Sequence, residues 1–546
     1  MYLKLNDIEL CCEPGTRWKD LLRFLPDGGK GTLGIRVKGK THGLNESAQE
    51  YVYAATLTFA DEEGRRIYER SLCMLFLCAV SRVFPALHVR MEHSLGRGIM
   101  AVVPRAPKGW TEPVEAEMRR IVAEDAPFIR KSVSTSDALR YFEENGQIER
   151  LRILRYREFD FFTLYDLLGY EDYFYGEMAA SAGMVGVFSL VPLEGGALLM
   201  MPDIADPSRP SEYVPMPKLL ETFTETAKWC RITGCSNASD LNDMLKERRL
   251  REFIRVSEAL QERRIQEIAD KFIESGARVM LIAGPSSSGK TTFAHRLNIA
   301  LRVHGLRPVK LSLDDYYRDR DSLPLEPDGT VDLERLDALD VPLLCEHLPL
   351  LLEGKTVDVP TFDFKTGTRG KKTHRVRVEK GQPIIIEGIH GLNDALTASV
   401  PREMKFKIYI SALTTLNLDD HNRIRTTDAR LLRRIVRDHN FRGTPPEETI
   451  AMWSSVRHGE DNYIFPFQEE ADVMFNSSLP YELMVMKKYA YPALKEIKPD
   501  SPHYTLARRL VKFLNYIRVA DVEDEIPLNS LLREFIGGCC FYKEED

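Results

Sequence analysis

Arg278–Ala283 reads RVMLIA and runs into Gly284-Pro285-Ser286-Ser287-Ser288-Gly289-Lys290-Thr291, after which Lys290–Val303 continues as KTTFAHRLNIALRV. The octapeptide fits G-x-x-x-x-G-K-[ST] without a mismatch, and an apolar strand before it and a helix after it are the setting that pattern requires. Its glycines permit backbone geometry and close approach that a side chain would block. The N–H groups along Ser286, Ser287, Ser288 and Gly289, with the positive end of the following helix, form a cradle for phosphate oxygens. Lys290 adds a mobile cation for the β/γ-phosphates, Thr291 offers a hydroxyl to Mg²⁺, and Thr292 completes the loop-to-helix turn. The bland alternative, a Gly/Ser linker between two elements, does not call for this flanking pattern.

Working outward, short apolar runs recur at Val279–Ala283, Val309–Leu313, Ile384–Ile386, Phe406–Ile410 and Val473–Phe475, with helical segments between them. That rhythm predicts an α/β fold, a parallel sheet with helices on both faces. Ligands of such sheets lie beyond the carboxyl ends of the strands. There the second strand meets Asp314-Asp315-Tyr316-Tyr317, and the third ends at Glu387-Gly388. An aspartate so placed can take the proton of an attacking hydroxyl, and Glu387 can stand near a loop-bound Mg²⁺. Acids at strand ends also serve as simple caps. Asp428–Asp438 (DARLLRRIVRD) carries Arg430, Arg433, Arg434 and Arg437, with Arg442 beyond. Arginines at helical spacing are a solvated face or a lid that offsets charge on a transferring phosphoryl group.

The whole chain is 546 residues long, enough for about three or four domains at ~150 residues each. Apolar residues make up 43% and charged residues 29%, with a net charge of −7 and nine cysteines. This composition excludes a disordered chain, a collagen-like repeat and a disulfide scaffold, and gives no overall pull toward nucleic acid or anionic membrane. Sparse cysteine, no signal-peptide pattern and no apolar run near the ~20 residues of a membrane span predict a cytoplasmic protein.

Together, GPSSSGKTT, LDDYY, Val359-Pro360-Thr361-Phe362-Asp363-Phe364, Ile386-Glu387-Gly388-Ile389 and the DARLLRRIVRD…RG stretch resemble, in order and rough spacing, the uridine kinase/phosphoribulokinase family of P-loop kinases over about residues 278–480. The resemblance implies ATP and Mg²⁺ as cofactors and transfer of the γ-phosphate to the 5′-hydroxyl of a nucleoside. It implies Asp314 as catalytic base, with Lys290, Arg434 and Arg437 acting on the transferring group. ATP contacts would come from the loop together with Arg433 and Arg442. Asp314, Tyr317, Glu334, Phe362 and Arg430 would hold the acceptor, and Thr291 and Glu387 the metal. Three departures bear on the acceptor. Leu333-Glu334-Arg335-Leu336-Asp337 stands where uridine kinases have an aspartate–histidine–proline–aspartate run, Phe362 replaces a tyrosine, and Gly367 stands where a histidine is expected. Losing a hydroxyl and an imidazole removes polar readout, the large source of specificity.

The N-terminal half predicts other modules. Leu3-Lys4-Leu5 and Ile8-Glu9-Leu10 alternate around Asn6-Asp7 as a hairpin, Arg17–Phe24 is helical, and Gly34–Val37 and Tyr51–Phe59 are further strands. Residues 1–59 resemble a TGS domain, a small ubiquitin-like α+β module. Residues 60–243 resemble the α+β editing domain of threonyl-tRNA synthetases, on Asp61-Glu62-Glu63-Gly64, the apolar helix Ser71–Phe84 and Gly176–Leu199 as closing strands. The family's metal-binding positions fall here at Arg70, Met74, Tyr175 and Ala179, which can neither hold zinc nor activate water. His88 and His93 project differently and make no replacement pair. Cys230 and Cys235 have no partners for a metal. Met244–Ser275 predicts a solvated connecting helix, and residues 276–546 the kinase domain with a helical extension.

Two other functions fit parts of this pattern. One is an RNA-binding regulator with the P-loop as a nucleotide switch, signalled by basic patches at Arg65-Arg66 and Arg150–Arg157 but opposed by interleaved Asp61, Glu62 and Glu63. The other is a sugar-phosphate kinase. A switch needs neither a hydroxyl-directed aspartate nor an arginine lid, so the favoured expectation is a nucleoside kinase. Its expected partners are a small-molecule acceptor and further copies of the chain. Any nucleic acid would engage the N-terminal half without being the substrate, and no membrane is involved.

Overall fold

A computed structural model describes residues 1–50, 52–144, 146–156, 161–325, 331–363 and 366–542. Tyr51, Arg157 and Phe364, quoted above, lie outside the described residues. The C-terminal half is built on β1 (Val279–Ala283), β2 (Val309–Ser312), β3 (Ile384–Glu387), β4 (Lys405–Ser411) and β5 (Val473–Asn476). These run parallel in the spatial order β2-β3-β1-β4-β5. Its longer helices among the described residues are α1 (Leu250–Ser275), α2 (Lys290–Val303), α3 (Val341–Leu352), α4 (Thr426–Phe441), α5 (Pro446–Tyr463), α6 (Glu482–Lys495) and α7 (Tyr504–Leu514).

Strand alternation divides the core into two layers. Met280 and Ile282 pack with Phe293 and Leu297 of α2 and Ile265, Ile268 and Phe272 of α1. On the opposite face, Val279, Leu281, Ile384 and Ile386 meet Leu344 and Leu348 of α3. The predicted parallel sheet with helices on both faces is therefore present.

The predicted connecting helix is corrected in two ways. It is broken into Ala238–Lys246 and α1, with Arg248 between them at φ +62°. Nor is α1 a solvated link. Ile265, Ile268, Ala269 and Phe272 follow i, i+3, i+4, i+7 and bury a stripe against the sheet, hidden in the sequence among charged residues.

Residues 1–57 form a mixed five-stranded sheet in the order Ile8–Cys11, Tyr2–Leu5, Tyr53–Leu57, Gly34–Val37, Lys40–His42. Tyr2–Leu5 and Tyr53–Leu57 pair parallel, and Trp18 and Leu21 of a short helix pack on Leu3, Leu5 and Ile35. The next helix spans Glu62–Val83 and starts earlier than its apolar run suggests. Its polar first turns are held by Arg66, which pairs with Glu62 at 2.7 Å and Asp428 at 3.2 Å. Of the expected closing strands only Ser189–Leu193 and Gly196–Met200 form, within an antiparallel sheet completed by Gly98–Val102 and Arg90–Leu95. A three-stranded sheet follows Tyr170–Asp172, Phe161–Leu167, Ile129–Ser134. The halves share a core, in which Phe142, Phe162 and Tyr173 belong to the cluster that contains Leu431, Leu432 and Ile435 of α4. Among the described residues no helix is long and apolar enough to cross a membrane.

His88 pairs with Asp420 at 3.2 Å, whereas His93 is buried and stacked on Phe223, ring centroids 3.7 Å apart. Cys230 and Cys235 are buried free thiols.

Candidate functional site

Fully buried β1 delivers the loop at residues 284–291 to the centre of the sheet. At Gly284 a Cβ would lie 1.9 Å from the Ile410 carbonyl oxygen of β4, so only glycine lets the two strand ends approach this closely. Gly289 caps α2 with φ +86°, and Ser287 holds φ +60°, a strained conformation for a residue with a side chain. Among the described residues the buried hydroxyls of Ser287 and Ser288 have no hydrogen-bond partner. Lys290 Nζ donates to the Gly284 and Pro285 carbonyls at 2.9 and 3.2 Å. Burial lowers its pKa, against the raising effect of Glu387 and Asp314.

Those two acids stand at neighbouring strand ends. Ser312, in register with Glu387, donates its hydroxyl to Glu387 Oε1 at 3.2 Å. Burial and then the Asp314 charge push the Glu387 carboxyl up to about 7. Asp314 opens onto the cleft, yet the surrounding walls desolvate it and raise its pKa, opposed by Lys290 and Arg442. This crowded acid pair beside a lysine and a loop with unpartnered hydroxyls fits a phosphate tail with a divalent cation. Among the described residues no set of three or more His, Cys, Asp or Glu converges as a metal cage. Magnesium at a phosphate needs only one or two protein carboxylates, with hydroxyl, phosphate and water completing its shell. The Thr291 hydroxyl makes no hydrogen bond among the described residues and lies on the first turn of α2.

The arginines of α4 divide into two groups. Arg430 and Arg433 are buried at 1% and 0% exposure and held by Glu460 and Glu482. Arg430 Nε donates to the Ser286 carbonyl at 2.9 Å, and Arg433 reaches the Ser287 carbonyl at 3.4 Å. They brace the loop from behind, their guanidiniums spent on carboxylates and loop carbonyls and not on the acceptor and ATP contacts that the resemblance implied. The second group, Arg434, Arg437 and Arg442, gathers on the buried Asp438 at 3.3, 2.8 and 3.6 Å. Arg434 also donates to the Ser286 hydroxyl at 2.9 Å.

Across the cleft, the Tyr317 and Phe362 rings lie 5.4 Å apart and the Tyr317 hydroxyl donates to the Leu333 carbonyl at 3.1 Å. Burial and then the Glu460 charge raise Glu334 to about 7, with Lys290 and Arg434 opposing. Burial and then the charges of Asp314 and Glu334 raise the pKa of the Tyr317 hydroxyl, so both acids lie near the Tyr317–Phe362 pair.

Three contributors escaped the sequence reading. Glu460 of α5 accepts the Ser286 N–H at 3.0 Å. Glu534 accepts both the N–H and the hydroxyl of Thr292. His390, 1% exposed and held neutral with its pKa lowered to about 4 by burial, follows β3 beside the main chain of Glu334 and Arg335. Only His390 left a local signal, its place directly after Glu387-Gly388-Ile389.

Comparison with known proteins matches the Phosphoribulokinase / Uridine kinase family over residues 279–483. A uridine kinase of Lactobacillus helveticus is 33% identical over 194 residues, 35% of this chain and 83% of that protein. A uridine kinase of Macrococcus caseolyticus is 31% identical over 218 residues, 39% of this chain and 96% of that protein. A solved structure described as a possible uridine kinase from Bacillus stearothermophilus is 20% identical and covers 37% of this chain and 89% of that one, at a TM-score of 0.25. Through its C-terminal region the chain belongs to the phosphoribulokinase/uridine kinase family of P-loop kinases.

Proposed function

We propose that the chain transfers the γ-phosphate of ATP to the 5′-hydroxyl of a nucleoside. The observation that carries this reading is the placement of Asp314 at the end of β2, close enough to Lys290 and Glu387 that its charge shifts both. A triphosphate cradle and a hydroxyl-directed carboxylate then serve one cleft.

In this mechanism the loop N–H groups and the Ser287 and Ser288 hydroxyls hold the phosphate tail, and Lys290 exchanges its carbonyl partners for phosphate oxygens. Asp314 takes the proton of the acceptor hydroxyl as that oxygen attacks, and its raised pKa makes it a better base than an ordinary aspartate. Arg434, Arg437 and Arg442, poised on Asp438, offset charge on the transferring group. Thr291 and Glu387 would hold Mg²⁺, which supplies charge neutralisation at the phosphates. The Tyr317 and Phe362 rings, tilted 40° to one another, offer apolar surface suited to a base, and Glu334 a hydrogen-bonding group suited to a ribose. His390 lines the end of the same strand.

For the N-terminal half, the mixed sheet with one short helix supports a TGS-like domain at residues 1–59. The helix Glu62–Val83 and the paired strands Ser189–Leu193 and Gly196–Met200 support an editing-like domain at 60–243, in which Arg70, Met74, Tyr175 and Ala179 would leave no means of hydrolysis. The test is a panel of nucleosides and sugars incubated with labelled ATP and Mg²⁺. Label appearing on a nucleoside 5′-oxygen supports the proposal; label on a sugar phosphate alone, or on none of the panel, overturns it.

A further inference from the structure

Away from the phosphate loop, a cavity of about 180 Å³ opens where the N-terminal sheet, the middle unit and α7 meet. Lys40, Arg70, Arg130, Arg508, Arg509 and Lys512 line it, against two carboxylates, Glu63 and Glu177. A wall so biased toward cations concentrates positive potential in a confined space and favours an anionic guest. Much of the remaining lining is aromatic, Phe174 and Tyr175 included. The half-buried Tyr175 ring stands edge-on to Tyr516, centroids 4.7 Å apart. An adjoining cavity of about 100 Å³ shares Arg70, Phe174, Tyr175 and Arg509 and extends to Arg423 and Arg425. Together the two approach the ~300 Å³ at which small-molecule clefts begin.

The guanidinium groups are incompletely matched by the protein itself. Arg70 donates through Nε to the Glu177 carbonyl at 2.9 Å but, among the described residues, has no carboxylate within 4.0 Å. Arg509 pairs with Asp428 and, through Nε, with Glu63 at 3.7 Å, yet among the described residues its Nε and one terminal nitrogen are buried without a hydrogen bond. Burial and then the neighbouring Arg66 push Arg425 down to about 9, although Glu69 is bound to it. An anion alone would need only the cations, and an apolar guest alone would leave them without a counter-charge. A ligand with a phosphate at one end and a flat ring at the other satisfies both walls.

We propose that this cavity binds a free nucleoside phosphate at a site separate from the phosphate loop. Its phosphate engages Arg70, Arg508 and Arg509, and its base lies against Phe174 and Tyr175. The site touches the catalytic half through Asp428, which pairs with both Arg66 and Arg509 and lies in the first turn of α4. That is the helix whose Arg430 and Arg434 grip the phosphate loop. A phosphate that draws on Arg509 competes with Asp428, so occupancy is positioned to be felt at the loop.

The test uses the full chain carrying Lys290→Ala, in which the phosphate loop's hold on nucleotide is weakened. Equilibrium dialysis is run with the labelled mono- and triphosphates of adenosine, cytidine, guanosine and uridine, each alone, and with inorganic phosphate and an RNA tetranucleotide. At least one nucleotide is expected to bind at one per chain. Adding Arg508→Glu, a change on an exposed side chain, should weaken it at least tenfold without lowering the melting temperature, and Arg70→Leu should act in the same direction. The proposal is overturned if no nucleotide binds or if binding survives both substitutions. It is equally overturned if inorganic phosphate binds as tightly as any nucleotide, or if the tetranucleotide binds and no mononucleotide displaces it. Phosphoryl transfer by the unmodified chain is scored separately, so failure here leaves the kinase reading intact.

Discussion

Glu534 accepts the main-chain N–H of Thr292 at 3.2 Å and its hydroxyl at 2.7 Å, placing an acid from 242 residues away on the first turn of α2. Tyr542 joins the same hydroxyl at 3.1 Å, and Phe541 stacks on His295 one turn further on, centroids 5.0 Å apart. The start of a helix that follows a phosphate loop is where an anion is most stabilised, and here a carboxylate of the chain itself takes that place.

Removing the Glu534 charge should therefore favour ATP. Glu534→Gln keeps the shape and one acceptor oxygen while deleting the repulsion, and is expected to lower KM for ATP about two- to tenfold. Steady-state kinetics at saturating acceptor measures this; an unchanged or higher KM would show that the contact only braces the fold.

Asp314→Asn is expected to leave ATP binding intact and reduce transfer by ~10²–10⁴, the usual worth of a general base. ATP affinity and single-turnover transfer are measured on the same preparation. Transfer at the unmodified rate would remove Asp314 from the role of base.

The Arg430–Glu460 pair is buried at 1% and 0% side-chain exposure, and Glu460 also carries the Ser286 N–H. Glu460→Leu strands a buried guanidinium and should cost about 3–5 kcal/mol of stability. Chemical denaturation followed by fluorescence reads the loss, and a change below about 1 kcal/mol would argue that Arg430 finds solvent instead.

His93 gives a pH dependence. Burial, with Arg423 adding to it, lowers its pKa from 6.5 to about 3, so the folded chain keeps the ring neutral while the unfolded chain protonates it. The unfolded state thus binds more protons between these values, and stability falls as pH drops from about 6.5 toward 3, by at most ~1.4 kcal/mol per unit. Glu92 at 3.8 Å and Arg423 are the charged groups facing the ring. His93→Phe keeps the stack on Phe223 and should flatten this part of the stability–pH curve. Parallel curves for the two proteins would contradict the assignment.

Much of the kinase half was legible because its signals are local. A buried strand, a glycine-hinged loop and a helix are specified by adjacent residues, and β1, α2 and the strand ends at Asp314 and Glu387 lie where the pattern put them. The reading of α1 as a solvated link failed because its apolar stripe is sparse among charges and becomes a core face only once the sheet is present. Arg430 and Arg433 read as contacts to the acceptor and to ATP for a similar reason. Arginines at helical spacing look alike in sequence, and burial against Glu460 and Glu482 is what separates a brace from a mobile cation.

The sequence by itself determined the phosphate cradle and the order of strands and helices around it, since backbone geometry and side-chain period are properties of neighbouring residues. Only the tertiary structure decided which charges meet. Glu534 on Thr292, Asp428 between Arg66 and Arg509, and the cationic cavity beside Tyr175 all join segments far apart along the chain. Electrostatic energy depends on separation in space and on burial, neither of which a linear pattern of charges contains.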